Sequence, residues 1–426
     1  VADKSAIEWT DATWNPIVGC SILSPGCTHC YAMRMAGRIE AMGGAKHYAG
    51  TTKKVNGNTV WTGKLAMAPE HILMEPLTWR TPRKIFVNSM GDLFHEDVPD
   101  EWIDKVFAIM ALAPQHTFQV LTKRATRMRE YMLERWQPAP AHRLAWPGGD
   151  AIDIPAEATG ETREDQVRAA CEPFLEKLGL VDTDNDDLWT EDGNAKAMTW
   201  TWPLANVWLG VSAERQQEAD ERIPELLATP AAIRFVSAEP LLGPIDFTRL
   251  RPPVDKQRWG FPNIDALRGT WFVDGHRTEE ESPFEHALRL DWIIVGGESG
   301  PDARPMHPAW ARSIRDQCAA ADVPFFFKQW GEWVPICAMD DGQSDRYFDP
   351  PPERDPEAIR RCRIGQCIMH ADGERFDLDQ WSRNLSKRAT HAFTTGNHAM
   401  HMFKVGKKAA GRMLDGVEHN GMPELR

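Results

Sequence analysis

The chain has no run of about 18 apolar residues, so nothing in its 426 residues reads as a membrane span. Its first residues, VADKSAIEWTDATW, contain neither a charged leader nor an apolar core, and no secretion signal is expected. A cytoplasmic protein is the expectation. Positive charge is also in deficit: 49 Lys and Arg against 62 Asp and Glu give a net charge of −13, which excludes a surface that is basic throughout and leaves only local basic patches. Internal repeats and low-complexity tracts are missing. Cysteine is scarce, at eight residues, and after Cys27 and Cys30 there is no second C-x2-C, so the paired knuckles of a closed zinc site are absent. In a reducing compartment, clustered thiols read as metal ligands or redox groups before they read as disulfides.

What the chain does contain is enough for a sizeable core, with 42% hydrophobic residues. Short β-branched and aromatic runs recur: TWNPIVG (13–19), KIFVNS (84–89), TFQVLT (117–122), NVWLGVS (206–212), IRFVSAE (233–239), DWIIVGGES (291–299) and PFFFKQW (324–330). Most are continuously apolar, the pattern of parallel strands buried on both faces. Helical periodicity lies between them, as in DEWIDKVFAIMALAP (100–114) and HPAWARSIRDQCAAADVP (307–324). The alternation predicts an α/β fold, a partial TIM-like (β/α)6 barrel with function on loops at the C-terminal ends of strands. The barrel is expected over residues 1–330, with insertions at about 137–205 and 249–290, and residues 331–426 form a C-terminal extension.

The densest chemistry is GCSILSPGCTHCYA (19–32), where Cys20, Cys27 and Cys30 are spaced C-x6-C-x2-C on the loop after the first strand. Three thiolates suit a [4Fe-4S] cluster whose fourth iron lacks a protein ligand and is open to a small molecule. The rival is a zinc ion completed by a distant fourth ligand. Cys337, Cys362 and Cys367 raise the question of a second cluster, although burial as small hydrophobes is the commoner role. Cys171 and Cys318 fall in helical patterns and read as structural.

The triplet resembles that of the radical S-adenosylmethionine (SAM) superfamily, whose commonest motif is C-x3-C-x2-C. More narrowly, NPIVGCSILSPGCTHCYA, FVNSMGDLFHEDVP, VLTKRATRM, VGGESGPDARPM, FFFKQWG and VGKKAAGRMLDG resemble successive blocks of a phage-associated, radical-SAM-like family. Some members of that family are linked to thymine hypermodification in phage DNA. The resemblance implies a [4Fe-4S] cluster on Cys20, Cys27 and Cys30, S-adenosylmethionine as cofactor, and a reductant such as flavodoxin or ferredoxin. It further implies hydrogen abstraction from a modified thymine with an isomerase-like rearrangement, in the host-cell cytoplasm if the protein is phage-encoded. His29 matches a position that lies against the cofactor's adenine, and Tyr31 is its neighbour.

Other candidates sit at predicted strand ends. Asn88, Ser89 and Asp92 match a superfamily segment that receives the cofactor's amino group, and helix capping is the alternative. Ser212 and Glu214 would hold ribose hydroxyls, again against capping. VGGESG lacks the spacing of a phosphate loop; Gly296 and Gly297 would admit the adenine and Glu298 would point into the cavity, unless these are turn glycines. Lys123, Glu239 and Lys328 would converge on the barrel mouth, as substrate-contacting groups or as a structural ion-pair network.

Basic clusters at KRATRMR (123–129), RNLSKR (383–388) and KVGKKAAGR (404–412) permit a DNA partner, with acidic excess in residues 182–192. A base in a duplex would have to be flipped out or approached through the major groove. The rival functions are a zinc-stabilised nucleic-acid-binding module without catalysis, and an iron-sulfur enzyme acting on free nucleotide or tRNA. No oligomeric state is specified.

Overall fold

The computed structural model describes residues 5, 7–133, 142–145, 151–154, 162–180, 196–253, 263–272, 289–343, 364–377 and 398–424. Seven strands are built from the apolar runs: β1 Ala12–Trp14, β2 Lys84–Val87, β3 Thr117–Thr122, β4 Val207–Ser212, β5 Ile233–Ala238, β6 Trp292–Gly296 and β7 Phe325–Gln329. They form one parallel sheet whose spatial order repeats their chain order, β1 to β7. The order never reverses, so the sheet lacks the switch point that defines a doubly wound fold. The seven strands are the seven apolar runs read from the sequence, one more than a (β/α)6 barrel has.

The first expected strand, 13–19, is two pieces. Pro16 has no N–H to donate, and the ladder to β2 ends at Trp14. Ile17–Val18 instead pairs antiparallel with Ala66–Met67. Cys20 therefore follows this side pairing, not a strand of the main sheet.

Helices occupy the intervals: α1 Tyr31–Met42, α2 Asp100–Ala111, α3 Ala125–Leu133, α4 Arg163–Leu178, α5 Gln216–Leu227 and α6 Pro308–Ala320. In α2, Asp100 and Glu101 oppose the positive end of the helix dipole, and Ile103, Val106, Phe107 and Met110 bury one face. Helix α6 starts on Pro308, with His307 Nδ1 accepting from the Ala309 N–H. Helix α4 falls within the insertion expected at about 137–205. It is set by a Thr162–Asp165 capping box at one end and by Gly179, at φ 65°, at the other.

Contacts divide the chain into two compact units, one of Val1–Ser21, Ala32–Leu209 and Ala228–Ala232, the other of Ile22–Tyr31, Gly210–Leu227 and Ile233–Arg426. In the first, Trp14 packs on Phe118 and Phe107 on Tyr131. Tyr131 donates to Asp104 Oδ1 at 2.7 Å, and Arg163 closes the network on the same oxygen at 3.0 Å. In the second, Trp292 packs between Phe235 and Phe326, and Phe327 on Trp330. The tail lies along β7, where Phe327 N donates to His419 O and Gly421 N to Phe325 O, both at 3.0 Å. A four-stranded antiparallel sheet, β8 Trp333–Pro335, β9 Gln366–Met369, β10 Arg375–Asp377 and β11 Met400–Lys404, has the order β8-β11-β9-β10. No helix among the described residues is long and apolar enough to cross a membrane.

On β11, His401 stacks on Phe403 with ring centroids 4.2 Å apart and shares a hydrogen bond with Gln366 Oε1 at 3.0 Å. Burial lowers its pKa from 6.5 to about 4. The unfolded chain therefore binds a proton near pH 6.5 that the folded chain refuses until about pH 4, and stability falls across that window as pH drops. Thermal unfolding from pH 7 to pH 5 is expected to show a smaller loss for His401→Gln than for the parent; equal losses would refute the assignment.

Candidate functional site: the cysteine loop and its supports

In the first unit, Cys20 is held by a buried network. Arg124, just beyond β3, donates from Nη1 to Cys20 Sγ at 3.5 Å and to Asp92 Oδ2 at 3.1 Å. Its Nη2 donates to Ser21 Oγ at 2.7 Å, and its Nε to Glu96 Oε2 at 3.3 Å. Burial works against the charge on Arg124, but Asp92, Cys20 and Glu96 outweigh it and hold its pKa above the ordinary arginine value. Asp92 begins no helix. Its Oδ1 accepts from Thr122 Oγ1 at 2.6 Å and from Phe94 N at 3.1 Å, and its Oδ2 also accepts from Lys123 N at 3.1 Å. His95 Nδ1 accepts from Asp97 N, which leaves its Nε2 to donate to Ser21 Oγ at 2.8 Å. Burial, then the nearby Arg124 charge, lowers the His95 pKa.

Asn88 has φ 59°, a left-handed conformation that asparagine tolerates. Its Oδ1 accepts from Ile17 N at 3.2 Å, while its buried Nδ2 has no hydrogen-bond partner among the described residues. Ser89 Oγ donates to Asn15 Oδ1 at 3.0 Å. Lys123 is half-buried. The basic run at 123–129 is partly spent on internal carboxylates, Arg124 on Asp92 and Arg127 on Asp100.

In the second unit, Pro25–Cys27 forms a single 3-10 turn, and Cys30 N donates to Cys27 O at 3.3 Å. Cys27 is buried, His29 and Cys30 are half-buried, and Tyr31 is exposed at the first position of α1. Two anchors hold the turn. Ser24 Oγ donates to Glu214 Oε1 at 2.7 Å and lies 3.9 Å from Cys27 Sγ. Glu214 is fully buried, and Arg222 Nη1 donates to its Oε2 at 3.0 Å and to Ser212 O at 2.8 Å. Gly26 admits this carboxylate, since a Cβ there would lie 2.2 Å from Glu214 Oε1. The second anchor is Arg304, which donates from Nη2 to Pro25 O at 2.9 Å and forks onto Glu298 at 2.6 and 2.8 Å.

Gly297 is required by packing, because a Cβ there would sit 1.9 Å from Trp330 O. Gly296 lies beside Glu239, with room for no more than a tight contact at 3.1 Å. The β6–β7 register jumps from Val295 opposite Phe327 to Gly296 opposite Gln329, which makes Lys328 the extra residue of a bulge. That displacement aims Lys328 Nζ at Glu239, at 2.7 and 2.9 Å from its two oxygens. Gln329 Nε2 donates to Ser299 Oγ at 2.9 Å, and its buried Oε1 has no hydrogen-bond partner.

The structure thus joins Cys20 to Asp92 in the first unit, and, in the second, Glu239 to Lys328 and the Cys27 turn to Glu214 and Glu298. Arg124, Ser24, Arg222, Arg304 and Gln329 were not singled out from sequence. Arg304 alone left a signal, an arginine six residues after Glu298 in the same loop. Cys171, Cys318 and Cys367 are buried, and burial pushes each thiol up to about 12. Cys337 is exposed beside Arg312, and Cys362 lies outside the described residues, as do RNLSKR and the acidic stretch 182–192. His370, Asp372 and Glu374, at the β9–β10 turn, bring ligand atoms within 4.8 Å of one another. Thiolate sulfur is the donor type that suits iron, and Cys20 Sγ already accepts a hydrogen bond from the Arg124 guanidinium.

Comparison with curated proteins and with solved structures returns no match. A family profile described as "Protein of unknown function (DUF5131)" matches residues 4–423, nearly the whole chain, and the chain belongs to that family.

Proposed function

We propose that the chain is a radical SAM enzyme on a partial (β/α) barrel, with Cys20, Cys27 and Cys30 as ligands of one [4Fe-4S] cluster. The observation that carries the reading is the C-x6-C-x2-C loop itself, with Arg124 donating to Cys20 and with Cys27 and Cys30 on one anchored turn. An unreversed parallel order suits a sheet that curls with its helices on one side, because crossovers share one hand. Cys20, Cys27 and Cys30 would hold the cluster, which, when bound and given one electron by a flavodoxin- or ferredoxin-type donor, would supply reductive cleavage of S-adenosylmethionine to methionine and a hydrogen-abstracting adenosyl group.

The chain's own residues supply position and polarity. Ser24, Glu214, Arg222, Arg304 and Glu298 fix the turn bearing Cys27 and Cys30. Asn88 Nδ2 offers a buried donor without a partner among the described residues, suited to a carboxylate or carbonyl of the cofactor. Glu239 and Lys328, at the C-terminal ends of β5 and β7 and each slightly exposed, present both charges to a substrate. The substrate we assign, a modified thymine base in phage DNA with an isomerase-like outcome, rests on the resemblance of the motif blocks.

Oxygen-free reconstitution with iron, sulfide, S-adenosylmethionine and dithionite is expected to give a brown protein with about four irons per chain and 5′-deoxyadenosine. A colourless protein holding zinc and forming no 5′-deoxyadenosine would refute the reading. For the substrate, Lys328→Met is expected to keep cofactor cleavage while losing turnover of a hypermodified duplex. Indifference of the parent to modified and plain duplexes, in gel shift and turnover alike, would remove DNA as substrate.

A further inference from the structure

Arg124 is 5% exposed, and its contacts converge on one sulfur and its surroundings. The same nitrogen, Nη1, reaches both Cys20 Sγ at 3.5 Å and Asp92 Oδ2 at 3.1 Å. Nη2 clasps the next residue twice, on Ser21 Oγ at 2.7 Å and Ser21 O at 3.4 Å. Asp92 is itself fixed by Thr122 Oγ1 and by the backbone N–H groups of Phe94 and Lys123. All of these residues belong to the first compact unit.

We infer that Arg124 is a positioning residue that sets the reduction potential of a cluster bound through Cys20, with Asp92 as the counter-charge that limits its effect. The inference rests on the radical SAM reading. Hydrogen bonds to the ligating sulfur and nearby net charge are the protein's main controls on the potential of an iron-sulfur cluster. Reduction adds one negative charge, which a neighbouring cation stabilises and a neighbouring anion opposes. A guanidinium remains charged at every working pH and in a fixed planar fork, so it supplies a constant field. Lysine at the same place would keep the charge but not reach Cys20, Asp92 and Ser21 together.

The geometry therefore assigns opposite signs to two neighbouring residues. Removing the cation should make the cluster harder to reduce, and removing the anion should make it easier. A purely structural tie between Arg124 and Asp92 predicts instead that both variants lose iron or stability, with no ordered movement of the potential.

The experiment is an EPR-monitored redox titration of the reconstituted full chain with dithionite and mediators, on the parent, Arg124→Met, Arg124→Lys and Asp92→Asn. Arg124→Met is expected to lower the equilibrium constant for one-electron reduction about tenfold, a midpoint about 59 mV more negative. Asp92→Asn should move the midpoint the other way, and Arg124→Lys should stay closer to the parent than Arg124→Met does. Midpoints that do not move, or that move together, overturn the inference while leaving the cluster reading intact. A parent that binds no iron overturns both. If Arg124→Met fails to retain iron, Asp92→Asn decides alone, by an upward shift or by none.

Discussion

Alanine in place of any one of Cys20, Cys27 or Cys30 is expected to reduce cluster content and 5′-deoxyadenosine formation to the level of a protein-free blank. Three thiolates are the whole protein ligand set for a cluster with one open iron, and alanine offers no donor. The controls lie in the same chain. Cys171, Cys318 and Cys367 carry thiols that burial pushes up to about 12, so they stay protonated at neutral pH and make poor ligands. Their alanine variants should retain the parent's iron and sulfide. Iron, sulfide and acid-quenched nucleoside assays on the six variants separate the two groups. Full activity in any variant of the first group, or loss of the cluster in all three of the second, would contradict the ligand assignment.

Glu214→Gln is expected to destabilise the protein by about 3–5 kcal/mol, because it strands the Arg222 guanidinium in the interior without its counter-charge. Glu214 has no exposed surface, and Arg222 is 6% exposed, so solvent cannot compensate for the loss. The same variant weakens the bond that Ser24 makes beside Cys27. The two consequences can be separated with Glu214→Leu combined with Arg222→Met, in which neither charge remains. Replacing both members of a buried pair with apolar groups is often near neutral for stability, so the double variant should unfold near the parent in urea yet hold iron less well. A loss below about 1 kcal/mol for Glu214→Gln, the scale of a surface pair, would mean that this carboxylate does not anchor the turn.

Most of the main sheet was legible in the sequence because strands buried on both faces leave unbroken apolar runs. TFQVLT is β3 without a residue's difference, and VWLGVS, all six residues buried, is β4. The first run misled because Pro16 breaks the ladder in the middle of an otherwise apolar stretch. Helix α4 was missed because its amphipathic pattern is weak and its clearest mark, the pair Thr162 and Asp165, is local. The three cysteines were picked out as candidate ligands by their spacing together with the motif-block resemblance. Their supports were not: Arg124 looked like one more surface cation in a basic run, and Ser24 like loop filler. Which arginine turns inward depends on carboxylates far off in the chain, 32 residues away for Arg124 and Asp92. Lys123, Glu239 and Lys328 were named as a converging set, but the bulge that joins the last two is a register effect with no signature in composition.

The stretch from His419 to Gly421 bonds to the free side of β7, with Asn420 bridging Phe326. β7 is a terminal rung of an apolar sheet, and such a rung with open amides can recruit a strand from another molecule. Here the chain's own end occupies those amides. A polypeptide cut before His419 would keep every cysteine yet leave that side of β7 bare, and it is expected to self-associate more than the parent.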